Sequence, residues 1–579
     1  MEETNQSMQS ENKDGTQKKN GKKTGIVIGV AAAAVVIGVA ATQLGSKTDP
    51  KTAVIDAFKS VVSAEETSPM EEIFGWKELS EKMRTSPYET DFEMQLDSIS
   101  DTSAAAMATG KLFVTGKADP ASRASSAVFG VGYAGMDLVK LEAYMDDSQL
   151  SMSVPELSAK AFSLNYKDDL AGQMDASPYL GPILKEGGMD AEGISDYLKY
   201  VQDASYGEER PFDVKALWKR YREGSQALAS LKEAMTAEKG DKKQQTIDGK
   251  EETVQGYTVF VPKEAFADFL RSTKEFMMSD ETFKNDFMEY VKQVQNIDSM
   301  YSVDVSGEVP DGDELWNEMS DALDQSIDDM IAGMGDLNAT VYVRKDGKMA
   351  SYEAKTTVSA ASASDAAVTA AQQVTGDENF LPDAVADADQ VALTVSGVYS
   401  GGYSLGANST TTMTFESGGD AVDVVIDRAG TYDKELYSDS LGIEFASADE
   451  SFKLLLDGTY GVVDSTYTVN GSLSSVSGGK ETELASMSVS GIVSNLEKGQ
   501  SFNASMDSVT LTVNPAGGEG SVPVEMALSG NFGAKPLEGG VDKPEGEPMD
   551  VLAATEDDWN GVAMEMFAGA MGLLSQVQQ

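Results

Sequence analysis

The sequence predicts an α+β protein: an N-terminal transmembrane helix, then an ectodomain of long antiparallel, curved, half-barrel-like sheets packed with helices. Three observations predict this class. Residues 25–44 form an uncharged, strongly apolar run. Apolar and polar residues alternate over 90–170 and again over 390–530, which is the period of a half-buried strand. Between them, residues 178–334 mostly follow the helical period, with one strand-like piece at 254–261.

As a helix, residues 25–44 would be about 30 Å long, the thickness of a bilayer hydrocarbon core. Four lysines lie within 18–23, on the N-terminal flank, and a basic flank stays cytoplasmic. We therefore expect a cell-membrane protein with a single span, a cytoplasmic N-terminus and an extracytoplasmic ectodomain. The alternative is a cleavable signal peptide cut near residues 39–41, but the apolar run is longer than a usual signal region.

The changes of period predict the divisions of the chain in order. They are a cytoplasmic tail at 1–24, a transmembrane helix at 25–44, juxtamembrane helices at 45–89, strands followed by a helical region at 90–340, an antiparallel β-rich region at 341–552, and a C-terminal helix at 553–579.

Individual elements rest on local patterns. Val54, Ala57 and Phe58 have the spacing of one helix face. Asp346-Gly347 stands between two alternating runs and predicts a two-residue hairpin. Glycine pairs mark turns between the later strands.

Composition excludes several functions. The net charge of −50 disfavours nucleic acid, because binding it depends on neutralising phosphates. The chain has no histidine and no cysteine, which excludes a Ser-His-Asp triad, a cysteine nucleophile and an ordinary zinc site. An extracytoplasmic protein without disulfides is typical of a bacterial, Gram-positive envelope. We expect no cofactor.

The remaining motifs for chemistry are weak. Ser477 and Lys480 match SxxK, but they flank a glycine turn, whereas the enzymes have a helix start. Pairs of carboxylates for glycoside hydrolysis are inevitable among 95 acidic residues. Residues 311–314 and 383–389 carry acidic groups without the full calcium-loop spacing. A helix N-cap explains the first group and a solvated loop the second.

The alternating strands predict a partly open apolar concavity that holds a lipid or another apolar ligand. Flexible methionines on the inward positions suit such a surface. If the helices at 191–334 cover the sheet, there is no pocket. The candidate ligand face comprises Leu150, Met152, Phe162, Leu164, Phe452, Leu454, Phe502 and Met506.

These observations favour a non-enzymatic, membrane-tethered binding or structural protein of the bacterial envelope. Its partners would be the membrane, through residues 25–44, and a lipid, an envelope polymer or a surface protein. A carboxylate-based hydrolase of envelope glycans and an adhesin are the alternatives. The oligomeric state is left open.

Three stretches stand out besides the lysine-flanked span: KTAVIDAFKSVV at 51–62, LSMSVPELSAKAFSLNYKDDL at 150–170, and LAATEDDWNGV at 552–562. Together they resemble an uncharacterised family of Gram-positive single-span surface proteins. The family has no known activity, so the resemblance implies an anchored surface protein and no chemistry. The curved sheet is also similar to lipoprotein-carrier half-barrels, but only in architecture, and fold does not imply function.

Overall fold

One sheet runs through the whole molecule. The computed structural model describes residues 49–62, 68–101, 104, 107–186, 191–206, 212–301, 311–359, 390–448, 450–514 and 522–577, and within them it forms a sheet of 20 strands. The first ten are β1 (Tyr88–Ile99), β2 (Gly110–Asp119), β3 (Ala124–Tyr133), β4 (Met136–Met145), β5 (Gln149–Ser153), β6 (Lys160–Asn165), β7 (Thr236–Ile247), β8 (Lys250–Val261), β9 (Leu337–Val343) and β10 (Met349–Ser359). The others are β11 (Gln390–Gly401), β12 (Asn408–Ser417), β13 (Asp420–Tyr432), β14 (Leu436–Ala446), β15 (Glu450–Gly461), β16 (Thr466–Ser477), β17 (Lys480–Glu497), β18 (Ser501–Val513), β19 (Val524–Pro536) and β20 (Glu547–Asp550).

The pairings give a single strand order. It starts at β20, passes through β6, β5, β4, β3, β2 and β1, crosses to β19, and then descends one strand at a time to β7. All these pairs are antiparallel except β20 with β6. Because β1 pairs with both β2 and β19, the early and late strands of the chain form one sheet.

Helices connect the strands and pack on the sheet. They are α1 (Pro50–Val62), α2 (Pro69–Phe74), α3 (Trp76–Thr85), α4 (Leu170–Ala176), α5 (Leu180–Glu186), α6 (Ala191–Tyr206), α7 (Val214–Gly224), α8 (Ala227–Ala234), α9 (Lys263–Ser279), α10 (Glu281–Tyr301), α11 (Gly312–Gly333) and α12 (Glu556–Val577).

The sheet has one apolar face that continues from strand to strand. Directly opposed residues share a face, and Val395, Met413, Val424, Phe445 and Phe452 follow one another across β11 to β15 in this way. We call this side the apolar face. Along each strand these apolar residues alternate with Ser, Thr, Asp and Lys on the other side, and this pattern is typical of half-buried strands.

Helices cover the apolar face at both ends of the sheet. Around β8 to β11, helices α1, α8 and α9 bury a cluster that includes Phe58, Leu231, Phe266 and Val341. At the other end, α4 and α6 pack with Tyr166, and α12 packs on β6 and β20. These three clusters supply core at the two ends, whereas several apolar side chains of β1 to β4 stay exposed.

The predicted fold class is wrong. The sequence predicts several curved sheets, in the strand-rich regions 90–340 and 341–552, whereas the register merges both regions into one sheet. The helical region also contains a full hairpin, because β7 precedes the strand-like piece now seen as β8. The sequence gives no sign of β7, because TAEKGDKKQQTI is polar and lacks alternation. Its position at the edge of the sheet explains this composition, since lysines there discourage pairing with another chain.

The predicted location is also corrected. No helix that the structure describes is long and apolar enough to cross a membrane. Residues 25–44, on which the single-span, cytoplasmic-N-terminus prediction depends, lie outside the described residues, as do 1–24. That location is therefore withdrawn.

Candidate apolar binding site

Helices α2 and α3 form a hairpin over the middle of the apolar face. Gly75 between them has a φ of 67°, which glycine adopts without strain. The N–H of Gly499, in the turn after β17, donates to the carbonyl of Phe74 at 2.8 Å. A Cβ on Gly75 would lie 2.8 Å from that same nitrogen, so the close approach requires glycine. The hydrogen bond from Gly499 holds Phe74 and Trp76 over the sheet, with their ring centroids 5.1 Å apart in a stacked arrangement.

A pocket of about 370 Å³ lies beneath this hairpin. Its size is that of a small-molecule site. Aromatic contacts frame it: Phe74 to Tyr460 at 5.2 Å, Trp76 to Phe502 at 5.2 Å, and Phe502 to Phe532 at 5.3 Å between ring centroids. None of the described lining residues is charged. They are Met70, Phe74, Trp76, Tyr437, Gly458, Thr459, Tyr460, Tyr467, Thr468, Val469, Val493, Phe502, Ala504, Met506 and Phe532.

Two tyrosine hydroxyls of the pocket wall bond within the protein. Tyr467 donates to the carbonyl of Ser505 at 2.9 Å, and Tyr437 donates to Oδ2 of Asp439 at 2.9 Å. Burial is the main cause that raises the pKa of both phenols, so they stay neutral. The rings therefore offer the pocket mainly apolar surface.

A polar cluster adjoins the pocket at β13 and β14; we call Arg428, Asp439, Tyr403 and Tyr437 the polar corner. Arg428 binds Asp439 through Nη2 to Oδ2 at 2.6 Å and Nε to Oδ1 at 3.2 Å. Tyr403 donates to the same carboxylate at 3.2 Å. The hydrogen bond with Asp439 is the main cause that raises the pKa of Arg428. Since Asp439 is paired directly with Gly458 of the pocket wall, the corner lies on the apolar face.

Phe532 connects the pocket lining with an uncovered stretch of the apolar face. Phe532, Phe92, Val114, Phe129 and Leu141 lie directly opposite one another across β19, β1, β2, β3 and β4, and we call them the open row. Phe532 is 43% exposed, Phe92 36%, Phe129 49% and Leu141 39%. Contiguous exposed apolar surface of this kind marks a binding site more often than a chance feature.

The structure places all eight candidate ligand residues on the apolar face but not in one site. Phe502 and Met506 line the pocket. Met152 is exposed on β5, one strand beyond the open row. Phe162 stacks on Trp559 of α12 at 5.9 Å. Leu150 and Leu164 lie directly opposite each other, and Leu164 packs under α4 and α6 at the end of the sheet. Phe452 and Leu454 lie on β15.

Sequence reasoning missed the roof of the pocket and the open row. Trp76 belongs to a helix with few apolar residues, and nothing local shows that the helix crosses a sheet. The sequence could have predicted that the other members of the open row face the apolar side, because each occupies the apolar phase of an alternating strand. These members are Phe92, Val114, Phe129 and Leu141. Only the register shows that they form a row.

Among the residues that the structure describes, the acidic groups and the SxxK match noted in the sequence do not line this pocket. Within the described ranges, no group of three or more Asp or Glu is placed to hold a metal ion. Asp311 caps α11, accepting from the Glu314 N–H at 2.9 Å, which confirms the N-cap interpretation. Residues 383–389 lie outside the described residues. Ser477 and Lys480 pair across a hairpin turn, as the glycines between them predict.

No protein-family model matches the chain, and no curated protein sequence matches it. Among solved structures, it is similar to the TodX monoaromatic hydrocarbon channel (deltaS2 mutant), at 6% identity over 78% of this chain and 90% of that chain, with a TM-score of 0.14. Two structures of Pseudomonas aeruginosa OpdK (OccK1), one with vanillate, show 6% and 7% identity over 78% of this chain and 97% of theirs, with TM-scores of 0.10. Backbones with such scores do not superpose as a common fold, so neither fold nor function carries over.

Proposed function

We propose that this protein is a non-enzymatic binding protein that holds the hydrocarbon chain of a lipid against the apolar face. The observation that carries the proposal is continuity: Phe532 lines the pocket under α2 and α3 and is also the first residue of the open row, directly opposite Phe92. An aromatic pocket alone would suit any small apolar molecule. A pocket that leads into an uncovered apolar row suits a long one.

The length of this path supports an extended ligand. From Tyr437 on β14 to Leu141 on β4 there are nine strand-to-strand steps of about 4.8 Å, or about 43 Å along the sheet. One acyl chain spans about 15 Å, which is half of a hydrocarbon core of about 30 Å. The path therefore accommodates a long chain, or more than one ordinary chain.

The energetics are adequate. Burial of each methylene contributes about 0.8 kcal/mol, so ten buried methylenes supply about 8 kcal/mol before the entropic costs of association. Aromatic rings that pack edge to face hold the pocket open without a polar group that a hydrocarbon would leave unpaired.

The competing functions lack such support. A carboxylate-based hydrolase needs acidic groups in the cleft, whereas the described lining of this pocket contains none. An envelope polymer rich in hydroxyl groups would leave its donors unpaired against this lining.

The test uses purified full-length protein incubated with vesicles of dioleoylphosphatidylcholine, re-isolated and extracted for bound lipid. We expect stoichiometric lipid with the natural sequence and strong loss with Phe532→Glu, because a carboxylate at the junction of pocket and row must be desolvated by the chain. Phe532 is already partly exposed, so the folded state tolerates the charge.

The control is Val463→Glu, a charge placed at an exposed apolar residue in the turn between β15 and β16. It should bind as much lipid as the natural sequence. Absence of lipid from the natural protein, or equal lipid on the Phe532 variant, would disprove the proposal.

A further inference from the structure

The polar corner lies where the apolar path ends, and it offers a ligand charged and hydroxyl groups next to the uncharged lining of the pocket. Tyr437 belongs to both: its ring lines the pocket and its hydroxyl bonds Asp439. Arg428 is 42% exposed and Asp439 is 23% exposed in their side chains. A ligand whose hydrocarbon chain fills the pocket would bring its other end to this corner.

The hydrogen bonds within the corner decide which groups it can recognise. Asp439 accepts three hydrogen bonds at Oδ2, from Arg428, Tyr403 and Tyr437, which occupy this oxygen fully, and a second bond from Arg428 at Oδ1. Arg428 uses Nε and Nη2 in these bonds and in a bond to the Tyr403 hydroxyl. Its Nη1 group lies outside all of them and carries two N–H donors. The corner therefore recognises a hydrogen-bond acceptor.

The surrounding charges decide between a neutral and an anionic acceptor. Asp439 neutralises Arg428, so the corner has no net charge. Next to it, Glu72 and Asp433 lie close enough to Tyr432 that, after burial, their charges raise the pKa of its phenol. Tyr432 is paired directly with Tyr437. An anionic head would be repelled by these carboxylates, whereas a neutral ester or hydroxyl oxygen would not.

We propose that the polar corner binds the neutral, oxygen-bearing head of an amphiphile, such as an acylglycerol, whose chain occupies the pocket. This inference rests on the proposed function and adds the class of head group. The guanidinium donates through Nη1 to an ester or hydroxyl oxygen. The tyrosine rings pack against the glycerol carbons.

The experiment compares three probes with matched chains on the full-length protein, each delivered from cyclodextrin: monopalmitoylglycerol, palmitate and hexadecane. Monopalmitoylglycerol should bind about tenfold more tightly than either of the others, as expected for one charge-assisted hydrogen bond. The double variant Arg428→Gln, Asp439→Asn removes both charges together, so that neither is left unpaired. It should lose that tenfold advantage and keep its affinity for hexadecane.

The matched control is Arg271→Gln, Asp328→Asn, which removes an exposed ion pair between α9 and α11. It should leave all three affinities unchanged. If palmitate binds most tightly, the corner is an anion site and the inference is wrong. If the three probes bind equally, or the corner variant keeps the preference, the corner recognises no head, yet the proposed function stands. If none of the probes binds, the proposed function itself fails.

Discussion

The two halves of the apolar face have the same alternating sequence pattern, but helices bury one half and leave the other exposed. On β8 and β9, Val259 and Val341 are completely buried under helices. On β3 and β4, Phe129 and Leu141 occupy equivalent alternating positions and remain exposed. Alternation therefore defines a face that can bury apolar surface, and the neighbouring helices decide whether it becomes core or binding surface. We call the two parts the covered end and the open stretch.

The largest difference is expected between two phenylalanines. Phe266 on α9 is buried in the covered end, and Phe266→Ala should lower the free energy of unfolding by about 3–5 kcal/mol, because it leaves a cavity. Phe129→Ala should change it by less than about 0.5 kcal/mol, because the ring is already half exposed. Urea unfolding followed by circular dichroism measures both.

The two substitutions should have the opposite ranking in their effect on lipid binding. Phe129→Ala should weaken lipid binding, whereas Phe266→Ala should not, when binding is measured without urea on the folded variant. A large loss of stability from Phe129→Ala would show that the open stretch is core, and the distinction between core and binding surface would then be wrong.

The roof of the pocket provides the next effect. Gly75→Ala combines a left-handed backbone with a contact to the Gly499 nitrogen, so it should destabilise the protein by about 2–3 kcal/mol. Gly135→Ala is the control. Gly135 has a φ of 80°, and a Cβ added there would meet nothing within 4 Å, which leaves only about 1 kcal/mol of backbone strain.

Only Gly75→Ala should also weaken lipid binding, since only that residue positions the roof. Equal losses of stability for the two variants, measured by urea unfolding, would mean that the contact with Gly499 contributes nothing.

The smallest effect concerns a turn at the border between the open stretch and the covered strands. Burial opposes ionisation of Asp146, but hydrogen bonds from Ser148, Tyr144 and two backbone N–H groups outweigh it and lower its pKa to about 2. Because this value lies below the unfolded one of about 3.9, the carboxylate stabilises the folded state above pH ~4. That stability is lost as the pH falls from about 4 to about 2.

Asp146→Asn should therefore lower the free energy of unfolding by about 1 kcal/mol at pH 7, after allowance for solvent screening. The natural protein and the variant should converge near pH 2 in urea unfolding. Asp420→Asn, at the exposed start of β13, is the control and should show no such convergence. A constant difference at all pH values would contradict the hydrogen-bonded carboxylate.

Particular residues show how far the sequence predicts this molecule. Phe452, Leu454 and Leu456 alternate so regularly that β15 follows from local pattern alone. β7 does not follow, because a polar edge strand is stabilised by its one partner rather than by its own apolar face. The pocket is intermediate: Phe502 and Met506 follow from alternation, but Trp76 comes from a helix far away in the chain.

The sequence by itself determined which side of most strands is apolar, since side chains alternate with a period of two whatever the partner strand is. It also determined the absence of histidine and cysteine chemistry. Only the tertiary structure decided that β1 joins β19, that one sheet results, and that the helices leave Phe92, Phe129 and Leu141 uncovered. Register and cover depend on contacts between residues hundreds of positions apart, and local periodicity carries no information about them.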